Sequence, residues 1–253
     1  MSVLVEQRGA VLVVTLNRPE QRNALDGETM SGIGSAFAGA LDDDGIAALV
    51  LTGAGDKAFC AGMDLKAFAA GGTPGPKDGP GLEVLMTGIY PKPVVGAANG
   101  TALAGGFELL LACDLIVAAD HAAFGIPEVK RGLVAAGGGV LQLPRRVPPA
   151  IALEMGLTGG TIDAARALAI GLVNRVVPGA EVLDEAVGLA DAIAANAPLA
   201  VRFTKEHMRQ VADGQPVDMK KFYEGIGTVF SSADAKEGAT AFGERRPPVW
   251  TGR

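Results

Sequence analysis

An α/β fold is predicted for this chain by three features of its 253 residues. Aliphatic runs of strand length alternate with helix-length segments as far as Pro149. Helical segments dominate after it. Small residues abound, with 36 glycines against an aromatic share of only 5%. Alternating strands and helices bury a sheet beneath helices, and bare backbone lets such elements approach closely. With 49% hydrophobic and 20% charged residues, the chain is globular, with material for a substantial core.

The first strand is Val11 to Leu16, aliphatic and β-branched, closed by Asn17-Arg18-Pro19 because proline lacks a ladder donor. Asp26 is placed to cap a helix that runs to Leu41. Asp42 to Gly45 is a turn, Ile46 to Thr52 a second strand, and Gly53-Ala54-Gly55 its close. Gly71 to Gly81, rich in glycine and proline and without periodicity, predicts an exposed, mobile loop. Pro93 to Ala98 and Leu115 to Ala119 are further strands. Between them lie a Gly-Gly turn and a short apolar helix, Gly106 to Ala112. Helices then follow at Pro149–Leu157, Asp163–Ile170, Ala180–Ala195, Pro198–Ala212, Val217–Phe230 and Asp234–Arg245, interrupted by a strand at Leu172–Val177.

A net charge of −6 argues against a general nucleic-acid partner, which favours basic surfaces. No apolar run reaches the roughly 18 residues of a membrane span, and Met1 to Gly9 lacks the pattern of a signal peptide. A cytoplasmic location is the expectation. Cys60 and Cys113 sit in apolar runs and read as buried free thiols. Neither His121 nor His207 has a partner at metal-ligand spacing, so no metal is expected. Gly53-x-Gly55-x-x-Ala58 imitates a dinucleotide fingerprint. It opens no helix and has no acidic residue at the ribose position, so a turn is the better reading and an NAD-dependent oxidoreductase the weakest one.

Two carboxylates stand out. In Asn99 to Glu108 a strand ends, the chain turns on small residues, and a helix begins. Amides at such a start are unpaired and suited to a developing oxyanion. Glu108 follows on the same helix face, flanked by Phe107 and Leu109. Glu128 lies in Phe124-Gly125-Ile126-Pro127-Glu128-Val129, with Pro127 suited to a first helical turn. Either alone is also accounted for by a helix-start carboxylate. Two in apolar settings suggest an acid/base pair.

Several segments together resemble the enoyl-CoA hydratase (crotonase) family. Phe59-Cys60-Ala61-Gly62-Met63-Asp64-Leu65 is similar to one signature of that family. Asn99 to Glu108 with Ala112-Cys113-Asp114 is similar to a second, and Phe124 to Gly139 to a third. Asn17-Arg18-Pro19, Asn23-Ala24-Leu25, Leu157-Thr158-Gly159 and Gly171-Leu172-Val173 match as well. The resemblance implies a spiral of ββα units over residues 1–195 and a helical C-terminal trimerisation region over 196–253, in a homo-oligomer, a trimer or a hexamer. It implies hydration of a 2,3-enoyl-CoA thioester, with coenzyme A as part of the substrate and no separate cofactor. The amides of Met63 and Gly105 would form the oxyanion hole. Glu108 would activate water and Glu128 would protonate Cα. Ala61, Asp64 and Leu65 would face the adenine end, Arg22 and Lys66 the phosphates, and Phe242 and Arg245 a neighbouring subunit's coenzyme A. Ala104 departs from the family's glycine triplet, and Ala135-Ala136-Gly137-Gly138-Gly139 from its Pro-Gly-Ala-Gly-Gly pattern. Leu143 to Ala150 and Pro248 to Arg253 resemble the carnitinyl-CoA dehydratase branch. An enoyl-CoA isomerase and a non-catalytic acyl-CoA binding protein are the competing readings.

Overall fold

A computed structural model describes residues 1–69, 75–86 and 89–253. Strands β1 (Val3–Arg8) and β2 (Val11–Leu16) form an antiparallel hairpin, turned at Gly9 with φ +58°. Helix α1 (Gly27–Leu41) follows, capped as expected by Asp26, whose carboxylate accepts from the Thr29 amide at 2.8 Å. Next come β3 (Ala48–Gly53), β4 (Ala58–Cys60), α2 (Leu65–Ala69), α3 (Glu83–Met86), β5 (Val94–Ala98), β6 (Thr101–Leu103) and α4 (Gly105–Ala112). Then β7 (Leu115–Ala119), β8 (Ala123–Gly125), a 3-10 turn over Pro127–Arg131, α5 (Gly139–Arg146), α6 (Pro149–Thr158), β9 (Thr161–Asp163), α7 (Ala164–Ala169) and β10 (Arg175–Val177). Four helices end the chain: α8 (Val182–Ala194), α9 (Pro198–Ala212), α10 (Met219–Ser231) and α11 (Ala233–Glu244).

The strands form two sheets. The larger has the order β1-β2-β3-β5-β7-β10 and the smaller β4-β6-β8-β9. From β2 onward the larger sheet is parallel. Its central strands β3 and β5 are buried along their whole length, which accounts for their unbroken aliphatic runs. In β3–β4–α2 and β5–β6–α4 the chain crosses the larger sheet, steps into the smaller one and enters a helix; β7–β8 repeats the step and enters the 3-10 turn. This is a spiral of ββα units. The strands β4, β6 and β8 pair in parallel, so the ends of successive turns are stacked side by side.

Most long elements lie where the sequence predicts them. The differences concern short ones. β1, the whole smaller sheet, and helices α2, α3 and α5 have no counterpart in the pattern reading. The four strands of the smaller sheet have three residues each. That is too short for a period of two to register, and they exist because neighbouring turns supply partners. The strand expected at Leu172–Val177 is confined to Arg175–Val177. Of the glycine- and proline-rich loop, residues 71–74 lie outside the described residues. The rest is less exposed than expected at its end. The Lys77 amide bonds the Gly27 carbonyl at 3.0 Å, the Asp78 amide bonds Ser31 Oγ at 3.0 Å, and Gly81 is buried.

Helix α8 lies across the larger sheet with Val182, Ala186 and Ala190 fully buried on one face, the spacing of a helix stripe. Helices α9 and α10 bury no residue completely. They meet through Phe203, His207 and Phe222, with His207 4.1 Å from Phe203 and 5.0 Å from Phe222 between ring centroids. The C-terminal segment returns over α11. Asp234 accepts from the Thr251 amide at 2.7 Å and the Gly252 amide at 3.0 Å, while Trp250 Nε1 donates to the Ala195 carbonyl at 2.7 Å. Met208, Phe230 and Phe242 are left 70%, 79% and 88% exposed. Both cysteines are free and buried, and burial pushes each thiol up to about 12. Among the described residues no single helix is long and apolar enough to cross a membrane.

One buried ion pair ties the C-terminal helices to the core. Lys205 Nζ on α9 lies 2.6 Å from Asp114 Oδ2 and donates to the Lys92 carbonyl at 2.6 Å. Asp114 Oδ2 also accepts from the Val94 amide at 2.8 Å. Removing one member strands the other charge, a loss of about 3–5 kcal/mol for a fully buried pair. Lys205→Met is expected to lower unfolding free energy on the order of 3 kcal/mol in urea titration. An unchanged midpoint would show that Asp114 is solvated without its partner.

Candidate active site

The site grows from the stacked ends of two spiral turns. After β4 the chain passes Gly62 and Met63, and after β6 it passes Ala104 and Gly105. The contact between them is close enough to require glycine. A Cβ on Gly62, whose φ is +87°, would lie 2.7 Å from Ala104 Cβ and 3.1 Å from the Gly105 nitrogen. A Cβ on Gly106 would lie 2.2 Å from the Cys60 carbonyl oxygen. Met63 pairs with Leu25 in an isolated parallel bridge in which Leu25 bonds the Gly62 carbonyl and the Asp64 amide. That pattern uses the neighbours of Met63 and leaves its own amide unpaired among the described residues. Gly105 is the first residue of α4, so its amide has no preceding turn to bond. Two unpaired amides from adjacent turns thus line one cavity.

That cavity encloses about 1160 Å³ and carries Glu108 and Glu128 on its wall. Its other lining includes Leu25, Met30, Leu65, Phe68 and Met86. Glu108 is only 5% exposed. Its Oε1 accepts from the Gly139 amide at 2.7 Å, and the nearby Gly137 amide also favours the charged carboxyl. Side chains are excluded there: a Cβ on Gly137 would lie 2.8 Å from Glu108 Oε2. Burial raises the proton affinity of Glu108 above an ordinary carboxyl; the two amides oppose this and the nearby Glu128 charge adds to it. Glu128 sits at the start of the 3-10 turn after Pro127. Its Oε2 is buried with no hydrogen-bond partner among the described residues. Burial raises its proton affinity as well, against its own backbone amide and the Arg131 charge.

The residues expected to hold the rest of a thioester are more scattered. Ala61, Met63 and Leu65 line the cavity. The Ala61 amide is bonded to the Arg22 carbonyl at 3.0 Å, which puts Arg22 beside it, exposed and at φ +53°. Asp64 begins α2, its Oδ1 accepting from the Lys66 amide at 3.2 Å, and its Oδ2 lies 3.3 Å from Arg18 Nη2. Arg18 also lies 3.2 Å from Asp26 and so joins this turn to the cap of α1. The Lys66 side chain is exposed. Phe242 and Arg245, at the exposed end of α11, do not line the cavity of their own chain.

Pattern reading missed Arg131, Gln142, Arg145, Asp213 and Gln215 on the cavity wall. It also missed the grip of Gly137 and Gly139 on Glu108. The signal for that grip was present in the Gly137-Gly138-Gly139 run, but not its target. Among the described residues no group of three or more His, Cys, Asp or Glu side chains is gathered to hold a metal ion.

A ββα spiral with two free amides facing a pair of buried carboxyls is the architecture of a thioester-handling enzyme of the crotonase class. A family model described as enoyl-CoA hydratase/isomerase matches residues 6–253, and the chain belongs to that family. It is similar to carnitinyl-CoA dehydratase of Escherichia coli O157:H7, at 45% identity over 100% of this chain and 99% of the relative. A crystal structure of enoyl-CoA hydratase from Mycobacterium tuberculosis H37Rv superposes with a TM-score of 0.93 at 49% identity, covering 100% of this chain and 99% of the other. A crystal structure of carnitinyl-CoA hydratase from Mycobacterium avium gives 0.78 at 42% identity, covering 100% and 99%.

Ala104 holds φ +50° and ψ −131°, a conformation open to glycine and strained for other residues. Such strain costs on the order of 1–3 kcal/mol, partly offset by the lower chain entropy of alanine. Ala104→Gly is expected to raise unfolding free energy by about 1 kcal/mol, read from chemical denaturation. A loss of stability would show that the methyl's packing outweighs the strain.

Proposed function

We propose that this protein is a hydro-lyase that adds water reversibly across the 2,3 double bond of an enoyl-CoA thioester. The observation that carries this reading is the pair of buried carboxyls in one cavity with the free amides of Met63 and Gly105. In hydration, the thioester carbonyl would rest against those two amides. As charge moves onto its oxygen, the donors stabilise the enolate, a term worth on the order of 3 kcal/mol per donor. Water would attack Cβ and lose its proton to Glu108, while Cα takes a proton from Glu128. Dehydration runs the same transfers backward.

The unequal surroundings of the carboxyls support this division. Glu108 has amide donors at its oxygens, which favour the anion a base must be. Glu128 has one buried oxygen without a donor among the described residues, which favours the protonated form an acid must be, against its own backbone amide and the Arg131 charge. An isomerase would need one proton carrier; two placed as a pair favour hydration. Ala61, Asp64 and Leu65 are proposed to meet the adenine end of coenzyme A, and Arg22 and Lys66 its phosphates.

The exposed apolar residues of α9–α11 are proposed to face other copies of this chain, in a trimer or a hexamer, with Phe242 and Arg245 reaching a neighbour's coenzyme A. Loss of the enoyl-thioester absorbance of crotonyl-CoA tests the reaction. Glu108→Gln and Glu128→Gln should each fold and lose about 10²–10⁴-fold in turnover. Met63→Ala, where only the backbone is claimed, should change it little. Hydration at the wild-type rate by either glutamine variant would remove that residue from the mechanism. For assembly, light scattering of the native protein should give a multiple of 25.6 kDa. An active monomer would refute the shared site and leave the two-carboxyl mechanism standing.

A further inference from the structure

The cavity does not end at the two glutamates. Beyond Glu108 its wall follows α5, where Gln142 and Arg145 both line it. Their spacing from Gly138 is four and seven residues, one face of a helix. Opposite them, at the C-terminal end of α9, Asp213 and Gln215 complete the wall. The apolar lining near the amides therefore gives way to four hydrogen-bonding side chains.

The charge of this wall is unbalanced. Arg145 Nη1 lies 3.6 Å from Asp213 Oδ1, a loose single contact that leaves most of its guanidinium donors unused. Among the described residues Asp213 is its only acidic partner within ion-pair distance. Behind it stand Arg146 and Arg209, and neither has an acidic side chain within ion-pair distance among the described residues. Arg146 is directed to the Leu111 and Cys113 carbonyls. Arg209 Nε is buried with no hydrogen-bond partner among the described residues. Burial lowers the proton affinity of Arg146 and the Arg209 charge lowers it further, while the Asp114 and Asp213 charges oppose this. Lys205 is matched by Asp114. Arg145, Arg146, Arg209 and Lys205 against Asp114 and Asp213 leave an excess of positive charge at this end of the cavity, in a chain of net charge −6.

We infer that this wall selects an enoyl-CoA whose acyl chain ends in a carboxylate, bound by Arg145 with Gln142 and Gln215 beside it. Planar bidentate recognition of a carboxylate is what a guanidinium with free donors does best. Helix α5 sets the length. Glu108 is anchored at Gly139, and Arg145 stands six residues further, about 9 Å along the axis, which suits an acyl chain of about six to eight carbons. The same charge disfavours a cationic tail. A carnitinyl group carries a trimethylammonium, so the acyl preference of this chain is expected to differ from that of the relatives named for it.

The inference rests on the hydratase reading, and the experiment separates the two. kcat/KM is measured for crotonyl-CoA and for three tails of equal length: apolar, ω-carboxylate and ω-trimethylammonium. The carboxylate tail is expected to exceed the apolar one at least tenfold and the cationic one by more. Arg145→Leu should reverse the preference between carboxylate and apolar tails, mainly through KM. Arg145→Lys should restore part of it, which a merely structural role for the residue would not predict. Circular dichroism confirms that each variant is folded. If Arg145→Leu does not fold, Arg145→Lys and Gln142→Leu carry the comparison, each lowering the carboxylate-to-apolar ratio. Equal rates on the three tails, or a preference for the cation, would overturn the inference while crotonyl-CoA turnover upholds the reaction. No turnover of any thioester would instead sink the hydratase reading.

Discussion

Two turns of the spiral meet at glycines, and the shape of the proposed site hangs on that contact. Gly62 lies against Ala104, and Gly106 against the Cys60 carbonyl. Any Cβ at Gly62 or Gly106 would push β4 and β6 apart. The amides of Met63 and Gly105 would then no longer line one cavity side by side. The proposed oxyanion hole needs two donors aimed at a single atom. A parallel spiral brings two such amides together because equivalent positions in consecutive turns stack. Ala104 shows how tight the arrangement is: it keeps a left-handed φ that alanine resists, so the surroundings over-determine the turn.

The second constraint is electrostatic. Two carboxyls occupy a mostly apolar cavity, and burial raises the proton affinity of both. What separates them is the backbone nearby. Glycines at 137 and 139 bring amides against Glu108, where a larger residue would collide with the carboxyl itself. Among the described residues Glu128 has no donor at its buried Oε2. Similar residues thereby stand in different surroundings, the usual basis of acid/base assignment.

The C-terminal helices follow another logic. Helices α9 and α10 are amphipathic, yet neither buries a residue fully. They are held by discrete ties: Lys205 to Asp114, the Phe203–His207–Phe222 cluster, Asp234 to the terminal backbone, and Trp250 to the end of α8. Large apolar side chains left in water on this scale suit a surface that meets another protein. The same helices also reach back to the cavity through Asp213 and Gln215, so their placement bears on the site.

Long aliphatic runs and helix caps act locally. For that reason β2, β3, β5, β7 and most of the long helices could be read from residue order, as could Asp26 as a cap. Glu108 and Glu128 were legible because a carboxyl in an apolar run is costly wherever the chain goes. The three-residue strands of the smaller sheet were not, since each is stabilised by a partner from another turn and not by its own pattern. Nor was the grip of Gly137 and Gly139 on Glu108, or the meeting of Arg145 with Asp213, about 70 residues apart along the chain (145 to 213). Sequence by itself determined the long buried segments and the candidate carboxyls, because hydrophobicity and charge belong to the residue. Only the tertiary structure decided which of them face one another, because the spiral stacks residues whose separation in sequence says nothing of their distance in space.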